Sequence, residues 1–466
     1  MSLKFKYILF VVWIGVLWFS FRFLNYELRR IKTFPQVKPR RIGFVVARIG
    51  GKDGVSEEAL HWMRILKTDG HEIYVFTGEN ENPQRLQGLA EEVYAVEECA
   101  LYDHSNQDIL KMAFEYQIMV PEDVLLDFIY ACKDRIKTQL LDFIAQNQID
   151  VLIVENALSL PVQIPLALAL REVISETGIQ VIARHHDFYW EGEREQHFRT
   201  RYPHIAVMLN ELFPPDLPTV HVTINSITQE NLGQRGISSL VIPNCFSYGE
   251  NIKEISELDK EEIRNLLGIK PGDRIFLVPT RAVRRKNIEL AVEILGDLES
   301  MGYENLKLVV SLAVEDQEYK QQLEEIARDK GVDLIFAYDM LKGSGFSPWD
   351  IFWISDIVII PSRWEGFGNN LLEAIAYRKP IVVYSYPVLQ KDILPQGFDF
   401  ITITEDNSNL NAVEEQIKLI MDTISSEGHY PREVQEAIEH NYQLAEQVFS
   451  YTQIRTMLRD ILSSLP

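Results

Sequence analysis

The 466-residue chain has only three cysteines, Cys99, Cys132 and Cys245, far apart and with no paired spacing. That excludes a disulfide framework and a zinc knuckle, and a reducing compartment is the simple reading. It also lacks any Asp-x-Asp pair, a Gly-x-Gly-x-x-Gly run, a short-period repeat and a low-complexity tract. Solenoids, biased linkers and a dinucleotide fingerprint drop out with them, since no acid clearly ends the second strand about twenty residues after a glycine loop. Surplus positive charge is missing too. The net charge is −22, and residues 1–41 hold nine Lys or Arg against Glu27, a local +8 that leaves −30 on the rest. Such an acidic body is a poor nucleic-acid binder, because duplex affinity rests on surface cations meeting phosphates.

What is present begins with an apolar run. Tyr7 to Phe21 is uncharged and bounded by Lys6 and Arg22. Fifteen residues of helix reach about 22 Å against a hydrocarbon core of roughly 30 Å, so a shallow anchor and a span extended by snorkelling both remain open. No small-x-small cleavage site follows, which disfavours a signal peptide. Arg29, Arg30, Lys32, Lys38, Arg40 and Arg41 form a basic flank that places the following domain at the membrane, on the cytoplasmic side.

The length suits two α/β domains, because single cores usually stop growing at about 250 to 300 residues. After Arg41, short β-rich runs alternate with amphipathic helices, the pattern of parallel sheets. Strands are expected at 42–47, 73–77, 151–154 and 181–184, and a second series at 275–279, 306–311, 334–337, 357–360 and 381–384. The expected fold class is therefore α/β, two facing Rossmann-like domains behind an N-terminal membrane segment. The boundaries are 1–30 for the anchor and basic flank, 42–245 for the first domain, 246–272 for the junction and 273–440 for the second domain. Residues 441–466 read as one long amphipathic helix.

Residues 356–380 read DIVIIPSRWEGFGNNLLEAIAYRKP, a strand, a glycine turn and a helix. Gly366 and Gly368 let backbone approach a ligand closely, and the helix opening near Asn369 or Asn370 presents unpaired amides and a positive dipole end. An anion belongs there. Glu365 and Glu373, with seven residues between them, put two carboxylates on one pocket, where they suit the vicinal hydroxyls of a sugar. These residues resemble the retaining glycosyltransferase family 4 of the two-domain GT-B fold. The resemblance implies that Glu365, Gly366, Phe367, Gly368 and Asn369 hold the donor sugar and that Glu373 holds the ribose, with Leu372 a further donor-binding candidate; the missing Asp-x-Asp pair speaks against a metal.

Further segments fit the same reading. Arg281 and Lys286 follow the first strand of the second domain, where fixed cations would stabilise charge developing on a leaving diphosphate; Arg284 and Arg285 make the loop ambiguous with a solvated basic face. Gly50, Gly51 and Gly54 form a phosphate-approach loop before a helix that Asp53 or Ser56 can cap. The run from Ala183 to Glu191, ARHHDFYWE, opens at the same edge. His185, His186 and Asp187 suit metal ligands, a hydrogen-bonded turn or substrate contacts, and His186 aligns with a family histidine near the reactive carbon. Asp187, Tyr189 and Trp190 are acceptor-side candidates, with Phe188, Tyr189 and Trp190 equally suited to a sugar-stacking wall or to core packing. Val241 to Asn244 resembles the family's junction, with Cys245 where Gly is usual. Tyr377 and Arg378 stand in place of a Cys-Gly pair, and residues 384–387 lack the usual glycines.

The resulting expectation is a membrane-anchored, cytoplasm-facing, retaining and metal-independent hexosyltransferase. His186, Arg281, Lys286 and Glu365 are its catalytic candidates. Its donor would be a UDP- or GDP-linked sugar, with no other cofactor, and its acceptor a hydroxyl of a lipid, glycan or envelope polysaccharide. The alternative is a catalytically idle nucleotide-sugar-binding scaffold of the same fold; a phosphorylase or epimerase is a third reading, although no pyridoxal lysine motif is evident.

Overall fold

Two fully parallel sheets, each built from buried apolar runs, organise the chain. The first has the order β3-β2-β1-β4-β5-β6-β7, from β1 (Arg41–Ile49), β2 (Glu72–Asn80), β3 (Glu92–Ala95), β4 (Val151–Glu155), β5 (Gln180–His185), β6 (Val220–Thr223) and β7 (Ser239–Val241). The second has the order β10-β9-β8-β11-β12-β13, from β8 (Arg274–Val278), β9 (Leu306–Val310), β10 (Asp333–Phe336), β11 (Ile357–Ile360), β12 (Ile381–Tyr384) and β13 (Ile401–Ile403). Every residue of β4 and β11 is buried, as helices on both faces of a parallel sheet require. The computed structural model describes residues 38–192, 194–249, 252 and 254–466.

Each sheet reverses its strand order once, between β1 and β4 and between β8 and β11. Loops leaving the carboxyl ends of strands on either side of such a switch point diverge and open a crevice. That is why residues after β8 and residues after β11, remote in sequence, share one site: Phe276 and Leu277 pair with Ile357 and Val358 in adjacent strands.

The chain returns across the lobes by two helices, Arg432–Val448 and Tyr451–Ser464, not by the single helix that the 441–466 pattern suggests. Phe449 leaves helical geometry at φ −123°, ψ 17°, and Ser450 caps a new helix. The break lets the Phe449 carbonyl accept from Phe246 N–H at 3.0 Å, so the two inter-lobe crossings lie side by side. The last helix then packs on helix Gly54–Thr68, where Arg455 and Arg459 both bond Asp69.

The 1–30 anchor lies outside the described residues. Among those described, no helix is long and apolar enough to cross a membrane. Two members of its basic flank are otherwise employed. Arg40 donates to the Leu462 and Leu465 carbonyls at 3.2 and 3.0 Å, and Arg41 pairs with Glu72 at 3.1 Å.

Candidate functional site

The cleft between the lobes contains a cavity of about 310 Å³ lined by Arg48, Lys52, His186, Lys286, Glu365 and residues 366–370, among others. A second cavity of about 590 Å³ continues toward the inter-lobe crossings. The two share Glu57, Trp349, Asn369 and Glu373.

The turn after β11 is the centre of this cleft. Gly368 sits at φ +107°, and a Cβ there would fall 2.5 Å from the Tyr386 hydroxyl, so no other residue fits. The two carbonyls before it are turned away from the cavity and held: Gly366 C=O accepts from Asn225 Nδ2 at 2.8 Å, and Phe367 C=O accepts from Tyr386 Oη–H at 2.8 Å. The backbone N–H groups of residues 366–370 have no acceptor among the described residues. They lead into helix Asn369–Ala376, whose dipole adds positive potential at the same point. Five open amides at a helix N-terminus form a cradle for an anion or an array of oxygens.

Charged groups surround the cradle. Lys286, on the loop after β8, is ion-paired with Glu365, and Arg285 lies 3.9 Å from the same carboxylate. Burial raises the Glu365 pKa, but the charge of Lys286 and then of Arg285 outweighs it and holds the group below its ordinary value. Burial lowers Lys286, partly offset by Glu365. Arg281 lines the cavity with its guanidinium bonded to Glu315 at 2.6 Å. The ambiguity of the basic loop resolves by direction, since Arg284 turns outward to Gln322 and Asp316 whereas Arg285 faces the cleft.

Glu373 lies one turn into the helix, at the meeting of the two cavities. Burial pushes its pKa up to about 8, and the Trp349 indole N–H opposes that rise. Lys52 reaches from the first lobe over the Trp349 and Tyr338 rings, 5.3 and 6.0 Å from their centroids.

On the first lobe, His186 binds Glu155 through Nε2 at 2.7 Å, and its carbonyl faces Gly366. With Nε2 committed, Nδ1 is the ring nitrogen left for a ligand.

These positions belong to a chain whose residues 259–428 match the family described as Glycosyl transferases group 1. The mannosylglucosylglycerate synthase of Thermotoga maritima is 30% identical over 443 residues, covering 91% of this chain and 100% of the relative. The chain belongs to the group 1 glycosyl transferases. The mannosylglucosylglycerate synthase of Petrotoga mobilis is 32% identical over 385 residues, 78% of this chain and 86% of that one. The crystal structure of Anabaena HepE with UDP and glucose superposes with a TM-score of 0.62 at 14% identity, covering 91% of this chain and all of that one, a likeness of fold.

Within this glycosyltransferase, several expected site residues sit elsewhere than sequence suggests. Gly50 and Gly51 are buried, their carbonyls taken by Arg85 at 3.4 and 2.6 Å, so the loop shows Lys52, Asp53, Gly54 and Val55 to the cleft. Leu372 is buried in the second lobe's core. Tyr189 packs against Trp190, Phe198 and Phe213, and Trp190 lies under Arg235, so core packing, not a sugar-stacking wall, describes them. His185 turns inward to His221 at 3.0 Å, whereas Asp187, paired with Arg194, stays beside His186 on the wall of the cleft cavity. Glu58, His61 and Cys245 do lie within 4.8 Å of one another, but Glu58 is already bonded to the buried Arg184 at 2.7 Å.

Other residues of the cleft have roles that their sequence context did not announce. Arg85 forks onto Glu57 at 2.8 and 2.7 Å and braces the glycine loop from a separate turn. Asn370 lines the cavity with its Oδ1 buried and unpartnered. Tyr386, one of the departures from the family's glycines, supplies the brace behind Phe367.

Proposed function

We propose that the chain transfers a mannosyl group, with retention, from a nucleotide-diphosphate donor to a hydroxyl of glucosylglycerate or a closely similar glucosylated acid. The observation that carries the reading is the row of open amides at 366–370, whose carbonyls are pinned behind them while Lys286, Arg285 and Glu365 stand at its edge. Amides and cations suit a diphosphate, and Glu365 and Asn370 offer acceptors for sugar hydroxyls. The substrate pair is taken from the two mannosylglucosylglycerate synthases. Their names favour a small acid over the lipid, glycan or polysaccharide acceptor that an anchor suggests.

In this reading Arg281, Arg285 and Lys286 stabilise charge building on the departing diphosphate. Glu365 and the 366–369 backbone orient the sugar, Glu373 the ribose, and His186 the hydroxyl nearest the reacting carbon. The acceptor oxygen attacks on the face the diphosphate leaves, and a phosphate oxygen takes its proton. No protein nucleophile and no metal takes part. The apolar run before Arg22 and its basic flank tether the enzyme to the cytoplasmic face of a membrane, within reach of nucleotide sugars.

The test uses the full chain in detergent with GDP-mannose, UDP-mannose or UDP-glucose and glucosylglycerate. The expected product carries one more hexose by mass spectrometry and keeps the donor's anomeric configuration by NMR. Inversion of configuration refutes the mechanism, and no product with any donor refutes the activity.

A further inference from the structure

Two asparagines of the first lobe reach across the cleft to the donor turn of the second, and neither can turn its amide round. Asn225 caps helix Ser226–Gln234, its Oδ1 accepting from Thr228 N–H at 2.7 Å. With the oxygen committed, the NH₂ faces outward and donates to Gly366 C=O at 2.8 Å. Asn244, after β7, accepts from Arg184 at 3.4 Å and donates from Nδ2 to Asn369 Oδ1 at 2.6 Å. Both side chains are buried, at 2% and 5% exposure. The helix that Asn225 caps is itself docked on the second lobe, where Ser226 N–H meets Asp392 at 2.7 Å.

The two pinned carbonyls of the turn differ in origin. Phe367 C=O is held by Tyr386, from the same lobe, and that bond survives any movement of the lobes. Gly366 C=O is held by Asn225, from the opposite lobe, and that bond exists only while the lobes are closed. Because a peptide unit is planar and trans, fixing the 366 carbonyl also fixes the Phe367 N–H on its other side. From this geometry we infer that Asn225 is a positioning residue, assisted by Asn244, that makes lobe closure complete the donor cradle. The donor lands on a half-set turn, and the last peptide is oriented only as the first lobe arrives. This rests on the transferase reading, and it gives closure a direct route to catalysis beyond excluding water.

Asn225→Asp and Asn225→Ser separate the clasp from the cap. Both residues are good N-caps, so the helix keeps its start, but Asp offers no N–H and repels the carbonyl, and Ser is too short to reach it. The expected result in both is a larger radius of gyration by small-angle X-ray scattering, and a fall in kcat of at least roughly tenfold at saturating substrates. Donor Kd by calorimetry should stay within about threefold, because the cations and acids that bind it lie on the second lobe. Opening without loss of kcat, loss of kcat without opening, or neither, overturns the inference, which is their coupling. A wild-type chain inactive with every donor refutes the transferase reading instead, and the scattering arm alone then decides whether Asn225 holds the lobes closed.

Discussion

Lys286 and Glu365, 79 residues apart in the chain, neutralise each other in a direct ion pair whose side chains are only 8% and 9% exposed. The groups that would hold the diphosphate and the sugar of a nucleotide sugar are thus partnered with each other until it arrives. Removing one leaves the other buried and alone, a loss of about 3–5 kcal/mol for a pair of this kind. Lys286→Ala and Glu365→Ala should therefore unfold at clearly lower urea concentration. Lys286→Met combined with Glu365→Leu should regain most of that stability while remaining inactive in the transfer assay. Recovery of activity in the double variant would remove both residues from the chemistry.

Gly368 and Tyr386 make a second pair whose substitutions separate. Gly368→Ala places a methyl group against the Tyr386 hydroxyl at an unfavourable φ, and backbone strain of this type costs about 1–3 kcal/mol. Tyr386→Phe removes only the brace on the Phe367 carbonyl, near 1 kcal/mol for a neutral hydrogen bond. The first should lower the melting temperature and abolish transfer. The second should lower kcat with a small change in melting temperature. A Gly368→Ala enzyme of normal activity would show that the turn's conformation is not required.

The turn between β11 and helix Asn369–Ala376 was legible in sequence because strand, glycines, carboxylates and helix follow one another within 25 residues, and short-range chemistry announces itself. Strands with unbroken buried apolar runs, such as β1, β4 and β11, were legible for the same reason. β3, β6, β7 and β13 were not: they have three or four residues, and all but β6 have half-exposed patterns that no periodicity marks. The apolar periodicity of 441–466 runs straight through Phe449, with only Ser450 to signal the cap. Aromatic identity at 188–190 gave no direction, so core and cleft could not be told apart. Asn225, Tyr386 and Arg85 act through partners up to 141 residues away, and no local motif encodes that.

Glu155 sets His186 from behind, through the 2.7 Å bond to Nε2. Glu155→Gln keeps the shape but lets an NH₂ face the ring, changing which nitrogen carries the proton. In the role proposed for His186, misplacing the ring in this way costs roughly 10²-fold in rate. We expect kcat to fall by about that factor while donor Kd by calorimetry stays within about threefold. Equal losses in donor affinity and kcat/KM would make Glu155 part of donor binding.

Glu373 gives a pH signature of opposite sign to an ordinary ion-paired acid. Its pKa is raised by burial to about 8 in the folded chain, so the proton stabilises the folded state. That contribution is complete below the unfolded pKa near 4.3, declines as pH rises and is gone above about 8. Glu373→Gln abolishes the titration. The melting temperature of the variant relative to wild type should climb between pH 5 and 9, and a flat difference would place the titration elsewhere.

Asp69 behaves in the reverse sense at the other end of the molecule. Burial raises its pKa, but hydrogen bonds from Arg459 and Arg455, on the last helix, outweigh this and hold it below the ordinary value. A depressed carboxylate contributes stability that is present above its unfolded pKa, near 3.9, and is lost as pH falls through the lower folded value. Asp69→Asn keeps the size and gives up the charge on which both arginines converge at the end of helix Gly54–Thr68. The variant should melt below wild type at pH 7, and the gap should close as the pH is lowered toward 2. If the gap persists unchanged at pH 2, the last helix is held to the first lobe by packing, and the carboxylate is incidental.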